Sequence, residues 1–274
     1  MLCISTSGVL GRYITLWPPV TIFWRALLAA IVLVLFCKFK KISFKIHTKN
    51  DKLSIFFGGL LLGIHWVTFF QALQLSNVAI GLISIFTYPV ITTFIEPIVL
   101  KTKFQKPHIF LALMVLVGIY FLVPEFTFSN NYTEAIVWGI TSAFFYALRN
   151  LIMKRQVAKY NGSLLMTYQI IAVVVCLSPL IFYSDITEVQ SQVIPLLTLA
   201  LLTTSIGHTL FLMSFKYLSV SSASILSGVQ PIYGIILGIV FLNEIPHVST
   251  VIGGVFIISA VLIESFRSIK SPSK

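Results

Sequence analysis

Apolar residues run along the chain in ten stretches separated by short polar links. They cover 1–16, 20–37, 53–75, 78–100, 107–123, 135–153, 163–183, 193–215, 221–242 and 248–266. Most hold about 20 residues, enough at about 1.5 Å per residue to cross a ~30 Å hydrocarbon layer. Each stretch is predicted to be a helix, because backbone groups left unpaired in hydrocarbon find no water. The strict alternation that a membrane barrel needs is missing from the sequence. The pattern therefore predicts an all-α integral membrane protein with ten transmembrane helices.

The second half echoes the first at a shift of 142 positions: Arg12 falls on Lys154, Trp66 on His208, Pro89 on Pro231 and Leu100 on Leu242. The second stretch follows with a small slip, 23–34 against 167–178. This divides the chain into repeats at 1–124 and 134–268 and a tail at 269–274. Five stretches per half is an odd number, so the second repeat must enter the membrane from the opposite face. One element is short: twenty residues separate Glu134 from Lys154, but only eleven precede Arg12. The first helix thus lacks about two turns. It reads as N-terminally truncated, with Met1 a late start; a genuinely short or tilted helix is the other reading.

Composition agrees with lipid as the solvent. The chain is 57% apolar and 10% charged, with a mean hydropathy of +0.97. A soluble chain carries about a quarter charged residues. The net charge of +11 does not point to nucleic acid, because the basic residues sit in strips between apolar runs. Lysines 38 to 52 follow the second stretch, Lys101, Lys103 and Lys106 the fourth, and Lys154, Arg155 and Lys159 the sixth. Lys216 follows the eighth, and Arg267, Lys270 and Lys274 the tenth, which puts 16 of 19 basic residues on one side. The opposite links carry Glu125, Glu134, Asp185, Glu188 and Glu244. By the positive-inside rule the basic side and both termini are cytoplasmic, which fits a multi-pass protein of the inner cell membrane. Cys3, Cys37 and Cys176 lack metal-ligand spacing and read as small apolar fillers.

Several polar and aromatic groups fall near the predicted mid-depth. They are His65 and Trp66 in the third stretch, with Gln71 further along it, Tyr88 and Pro89 in the fourth, His208 in the eighth, and Gln230 and Pro231 in the ninth. Substrate sites of inverted-repeat transporters lie at that depth, between repeats. Each proline removes a helical N–H, so the carbonyls of Ile85 and Ser227 are expected to lose their helical partners. That reads as a kinked pair lining a cavity or as a static packing kink. The two histidines are costly at mid-depth; they serve a pathway or bond a neighbouring helix as neutral rings. No acids or cysteines flank them in a metal-binding pattern, so no metal or cofactor is expected.

Glu96 sits five residues before Lys101, where it can couple transport to protons, snorkel or pair with a lysine. Arg25 lies six residues past Pro19 and is a candidate anchor for anionic groups. Arg149, near the inner end of its stretch, is expected to snorkel. Tyr146, Asn150, Tyr168 and Gln169 are further candidate lining residues. The pairs Gly59/Gly63 and Gly234/Gly238 fit G-x-x-x-G, which allows close helix approach within the bundle or in a homodimer.

The stretch GHTLFLMSFKYLSVSSASILSGVQPIYGIILGIVFLNEIPHVSTVIGGVFIISAVLI (207–263) resembles the C-terminal repeat of EamA-type permeases of the drug/metabolite transporter superfamily. FFQALQLSNVAIGLISIFTYPVITTFIEPIVL (69–100) shows the same pattern more loosely, and PPVTIFWRALLAAIVL (18–33) is similar to the family's second helix. One departure stands out: Glu244 follows Leu242, but Thr102 follows Leu100, and the first repeat's acid is the earlier Glu96. The resemblance implies a ten-helix permease that moves small organic solutes, often amino acids or other metabolites, outward; a monomer or a homodimer is expected. Uptake of a charged or nucleotide-like metabolite, anchored by Arg25 and the histidines, is the alternative. An intramembrane enzyme or receptor is a remote one. The H-E-x-x-H, G-x-S-x-G, G-x-x-x-x-G-K-[ST] and G-x-G-x-x-G motifs are absent from the sequence. No link between stretches is long enough to bind ATP, so gradients must drive movement.

Overall fold

A computed structural model describes residues 1–101, 103–104, 106–121 and 131–270. Thr102, Glu125 and residues 271–274 of the tail lie outside these. The described residues are helical and contain no strand. The first repeat holds α1 (Leu2–Tyr13), α2 (Pro18–Phe39), α3 (Lys49–Leu75), α4 (Val78–Ile85), α5 (Tyr88–Leu100) and α6 (Pro107–Tyr120). The second begins with α7 (Asn131–Val157) and α8 (Gly162–Leu177), followed by a 3-10 turn at Ser178–Tyr183 and the short α9 (Ile186–Ser191). Next, α10 (Val193–Thr198), a π-helical segment (Leu199–His208) and α11 (Thr209–Ser214) make one continuous run. Then come α12 (Val220–Leu226), a 3-10 turn at Ser227–Val229, α13 (Gln230–Leu242) and α14 (Val248–Lys270). Among the described residues seven helical runs are long and apolar enough to cross a membrane, and Pro107–Gly118 and Val248–Ala260 are shorter apolar helices.

The echo in sequence is an echo in local structure. Helices α4 and α12 start at Val78 and Val220, behind the caps Asn77 and Ser219, whose side chains accept from Ile80 N–H and Ser222 N–H. Both fourth stretches break before their proline and resume at Tyr88 and Gln230. Pro89 and Pro231 then occupy the first turn of the resumed helix, where a missing N–H costs nothing. This corrects the expectation for Ser227. Its carbonyl keeps a partner, the N–H of Gln230, through a tighter i+3 bond. Both resumed helices end in a left-handed residue, Lys101 at φ 56° and Asn243 at φ 54°.

The repeats are packed through one another. The first helix of each repeat leaves its own repeat: α1 packs on α13 and the π segment, and α7 packs on α3, α4 and α5. Helices α2 and α8, which correspond in the two repeats, face each other across the middle. At the basic end, Asp51 accepts from Lys159 Nζ at 2.8 Å and from Tyr160 OH at 2.8 Å, tying α3 to the α7–α8 link. That carboxylate holds the Lys159 ammonium above its ordinary range.

Glycines set the closest approaches. A Cβ on Gly59 would meet the Gln169 carbonyl oxygen of α8 at 2.6 Å, and one on Gly63 would meet Val173. Gly234 faces Leu82, and Gly238 faces Val78. The G-x-x-x-G pairs thus abut helices of the same chain. Gly59→Ala is expected to lower the melting temperature of the purified protein by forcing α3 from α8, at about 1–3 kcal/mol. Gly254, whose Cβ would meet nothing within 4 Å, is the control. Its alanine variant should melt no lower, and equal losses at both sites would sink the close-packing account.

Candidate functional site

The π segment is where the repeats stop matching. Its counterpart in the first repeat, residues 57–66, is ordinary α-helix within α3. A run of π turns widens the helix and rotates the side chains beyond it. Here it carries Thr203, Thr204 and His208 on the buried side. Arg25, fully buried on α2, meets the first two: Nε donates to Thr204 Oγ1 at 2.7 Å and Nη2 to Thr203 Oγ1 at 3.1 Å. Its guanidinium lies 4.1 Å from the centre of the Trp66 ring and 5.6 Å from that of Phe70.

Trp66 and His208, partners under the 142-residue shift, touch edge to face at 5.3 Å. The two repeats therefore meet at this pair. Tyr146 of α7 joins them: its ring stacks on His65 at 4.2 Å and approaches Tyr88 at 4.9 Å, His208 at 6.2 Å and Phe211 at 6.1 Å. His65 is fixed by Ser142, whose hydroxyl donates to the His65 carbonyl at 2.7 Å. That hydroxyl has one proton, so it accepts at 2.8 Å from His65 Nδ1, which therefore carries the hydrogen. Tyr88 OH donates to the Ser224 carbonyl at 3.2 Å and bonds the Ser227 hydroxyl. All five central side chains, Arg25, His65, Trp66, Tyr146 and His208, are closed to solvent. Arg25 Nη1, Trp66 Nε1, His208 Nδ1 and Ser224 Oγ have no hydrogen-bond partner among the described residues.

Four sequence candidates lie off this cluster. Gln71 is half-buried further along α3, with no hydrogen bond to the cluster among the described residues. Gln230 donates to Met1 Sδ at 3.1 Å. Pro89 and Pro231 are buried and flank the cluster through the helix breaks they begin. Two readings of α7 and α8 need correction. Arg149 does not snorkel; α7 continues to Val157 and leaves it fully buried. Its Nε donates to Gln169 Oε1 at 2.7 Å and its Nη1 to Asn150 Oδ1 at 3.0 Å. Tyr168 points elsewhere and donates to the Phe44 carbonyl at 2.7 Å.

Sequence reasoning passed over Thr203, Thr204, Ser142, Ser224 and Ser227. The signal was available: Thr203, Thr204 and Ser205 form a hydroxyl run inside an apolar stretch, and serines recur along 219–227.

Toward each end of the bundle a carboxylate crosses between repeats. At the acidic end, Glu244 accepts from Val78 N–H at 2.8 Å, at the start of α4, and from Arg12 Nε at 2.9 Å. Arg12 also donates to the Gln74 carbonyl at the end of α3, at 3.0 Å. At the basic end, Glu96 accepts from Val220 N–H and Ser221 N–H, both at 2.9 Å, and from the Ser221 hydroxyl. Lys154 donates to the carbonyls of Phe215 and Leu218 at the end of α11, at 2.5 and 2.8 Å. Val78 and Val220, like Arg12 and Lys154, correspond under the shift. Each acid thus neutralises the N-terminal dipole of the other repeat's fourth stretch.

The profile of the EamA-like transporter family matches residues 1–123 and 133–266. The chain belongs to the EamA-like transporter family. It is accordingly a multi-pass membrane transporter of the drug/metabolite superfamily, with the family's two-repeat build. A solved structure titled "Crystal structure of protein" is similar to this EamA-like transporter with a TM-score of 0.73 at 14% sequence identity, over 97% of this chain and 97% of that one. At that identity the likeness is one of fold. No curated protein matches this EamA-like chain.

Proposed function

We propose that this chain is a gradient-driven permease of the inner cell membrane that exports or exchanges a small organic metabolite by alternating access. Ten spans, from inverted repeats at 1–124 and 134–268, place both termini in the cytoplasm, and the solute sits on the Arg25–Trp66–His208–Tyr146 cluster. One observation carries the reading. A polar, aromatic cluster drawn from both repeats is buried, and on either side of it a carboxylate crosses to the corresponding helix start of the other repeat. A pair of matched closures around a shared centre is what alternating access requires, since opening one end must be linked to closing the other.

In this mechanism the solute enters when one carboxylate releases its helix N-terminus and the broken fourth stretch swings at its proline. Desolvation of the solute against Trp66 and Tyr146 then favours reclosure, and the opposite end opens in turn. Glu96 serves here as a closure, and His65, fixed by Ser142, as part of the wall.

Purified protein in liposomes loaded with a metabolite pool is expected to exchange a labelled solute without ATP. Trp66→Ala, which removes the ring shared by Arg25 and His208, should cut the initial rate at least tenfold with the protein still folded. Exchange that requires ATP, or that Trp66→Ala leaves at the parental rate, overturns this reading.

A further inference from the structure

Among the described residues the centre of the bundle holds two positive charges, Arg25 and Arg149, and no negative one. Arg25 on α2 and Arg149 on α7 are each fully buried. Arg25 lies on the face of Trp66, and Arg149 stands about one helical turn from Tyr146 on α7, so both bear on one cluster. A buried ion loses its hydration, and proteins normally meet that with a carboxylate. The acids that could serve are committed elsewhere. Asp51 holds Lys159 and Tyr160, Glu96 holds the start of α12, and Glu244 holds Arg12 and the start of α4. Glu134 accepts from Trp138, and Asp185 caps α9.

The two arginines are not equivalent. Every nitrogen of Arg149 has a neutral partner: Gln169, Asn150 or the Met166 sulfur. Arg25 has Thr203 and Thr204 on two nitrogens, but Nη1 is unpartnered. Trp66 Nε1 and His208 Nδ1, unpartnered as well, belong to rings in contact with each other, and the Trp66 ring carries Arg25 on its face. A guanidinium N–H pair and an indole N–H are donors suited to an oxyanion, and the imidazole adds a third where Nδ1 carries its hydrogen. The surrounding rings of Trp66, Tyr146 and Phe70 suit an apolar body.

We infer that the solute is a small organic acid, whose carboxylate seats on Arg25 Nη1 beside Trp66 and His208 while its carbon body lies against the aromatic rings. The inference rests on the proposed transport reading and narrows it. It also separates acids from α-amino acids: an added ammonium would enter a positive site that offers it no carboxylate among the described residues.

The test is thermal stability of the purified protein with a panel of monocarboxylates of graded size, up to 3-phenylpropionate. Each is matched by its primary amide and its α-amino acid, so 3-phenylpropionate stands against 3-phenylpropanamide and L-phenylalanine. Acids are expected to raise the melting temperature. The amide of an active acid should give no shift, and the amino acid a smaller one. Arg25→Gln should erase the shift, and Arg25→Lys, which keeps the charge, should retain part of it. Both variants are first checked for a cooperative unliganded transition and an unchanged size-exclusion profile.

Amides as active as their acids, a shift that survives Arg25→Gln, or no shift from any acid overturns the inference. A shift from inorganic phosphate alone overturns the organic body. The two readings fail separately. Acid binding with no flux in liposomes sinks transport but keeps the site. Flux of a neutral or cationic solute that Arg25→Gln leaves intact keeps transport and sinks the acid.

Discussion

Glu96→Ala is expected to lower the stability of the folded protein by about 2–4 kcal/mol and to loosen the basic end of the bundle. The carboxylate is buried and accepts from two backbone N–H groups and one hydroxyl. Hydrogen bonds to a charged group are worth about 1.5–3 kcal/mol each, with incomplete additivity. Their loss also leaves the first N–H groups of α12 orphaned, which by itself costs about 1–2 kcal/mol at a helix N-cap. Glu244→Ala should cost less, about 1 kcal/mol, because its Arg12 pair is partly exposed and only one backbone N–H depends on it. Melting curves of the two variants check the order; equal losses would refute it.

The same pair of variants reads out direction. Ser224 lies between the two closures, fully buried, and its hydroxyl is unpartnered. In a background lacking Cys3, Cys37 and Cys176, Ser224→Cys should react faster with an impermeant maleimide from the basic face when Glu96 is removed. It should react faster from the opposite face when Glu244 is removed. Faster labelling from the same face in both variants would contradict a two-ended closure.

Much of this architecture is legible in the sequence. The 142-residue shift pairs Trp66 with His208 and Pro89 with Pro231; the structure puts the first pair in contact and a helix break before each proline. Such landmarks are readable because lipid permits little besides helix, so local chemistry fixes where a helix starts and breaks. The role of Glu96 was less legible, and the reason is geometric. Shifted by 142, Glu96 falls on Gly238, and Gly238 is the residue that faces Val78. The two positions therefore sit beside corresponding helix starts. One repeat supplies the carboxylate from that helix face; the other puts glycine there and reaches in from the loop with Glu244. A search at the aligned position finds Thr102 and misses the equivalence.

The π segment and Arg149 were beyond pattern reading for a different reason. One extra residue per turn leaves no mark in hydropathy, yet it decides that Thr203, Thr204 and His208 share the buried side with Arg25. Arg149 lies close enough to a helix end in sequence to be assigned to the interface. Its burial follows from the partner that α8 presents, Gln169, and tertiary pairing of that kind is invisible to a single helix pattern.

Arg25→Gln is expected to abolish transport while leaving the unliganded protein as stable as the parent, or more stable. Most substitutions at fully buried positions destabilise, so the sign is diagnostic. Arg25 has lost its hydration and gained two hydroxyl acceptors and the face of Trp66 in return. The desolvation penalty for a buried ion is several kcal/mol, against roughly 2 kcal/mol for a desolvated cation–π contact. A glutamine amide can still donate toward Thr204 and buries no charge. Arg149→Gln should behave in the opposite way. Its guanidinium satisfies Gln169 Oε1 and Asn150 Oδ1, and a shorter amide would strand both in a buried site, at about 1–3 kcal/mol for each unpaired group. Unliganded melting temperatures separate the cases: no loss for Arg25→Gln and a clear loss for Arg149→Gln. If Arg25→Gln unfolds as readily as Arg149→Gln, Arg25 is a structural residue whose charge the fold itself accommodates, and no solute is needed to explain it.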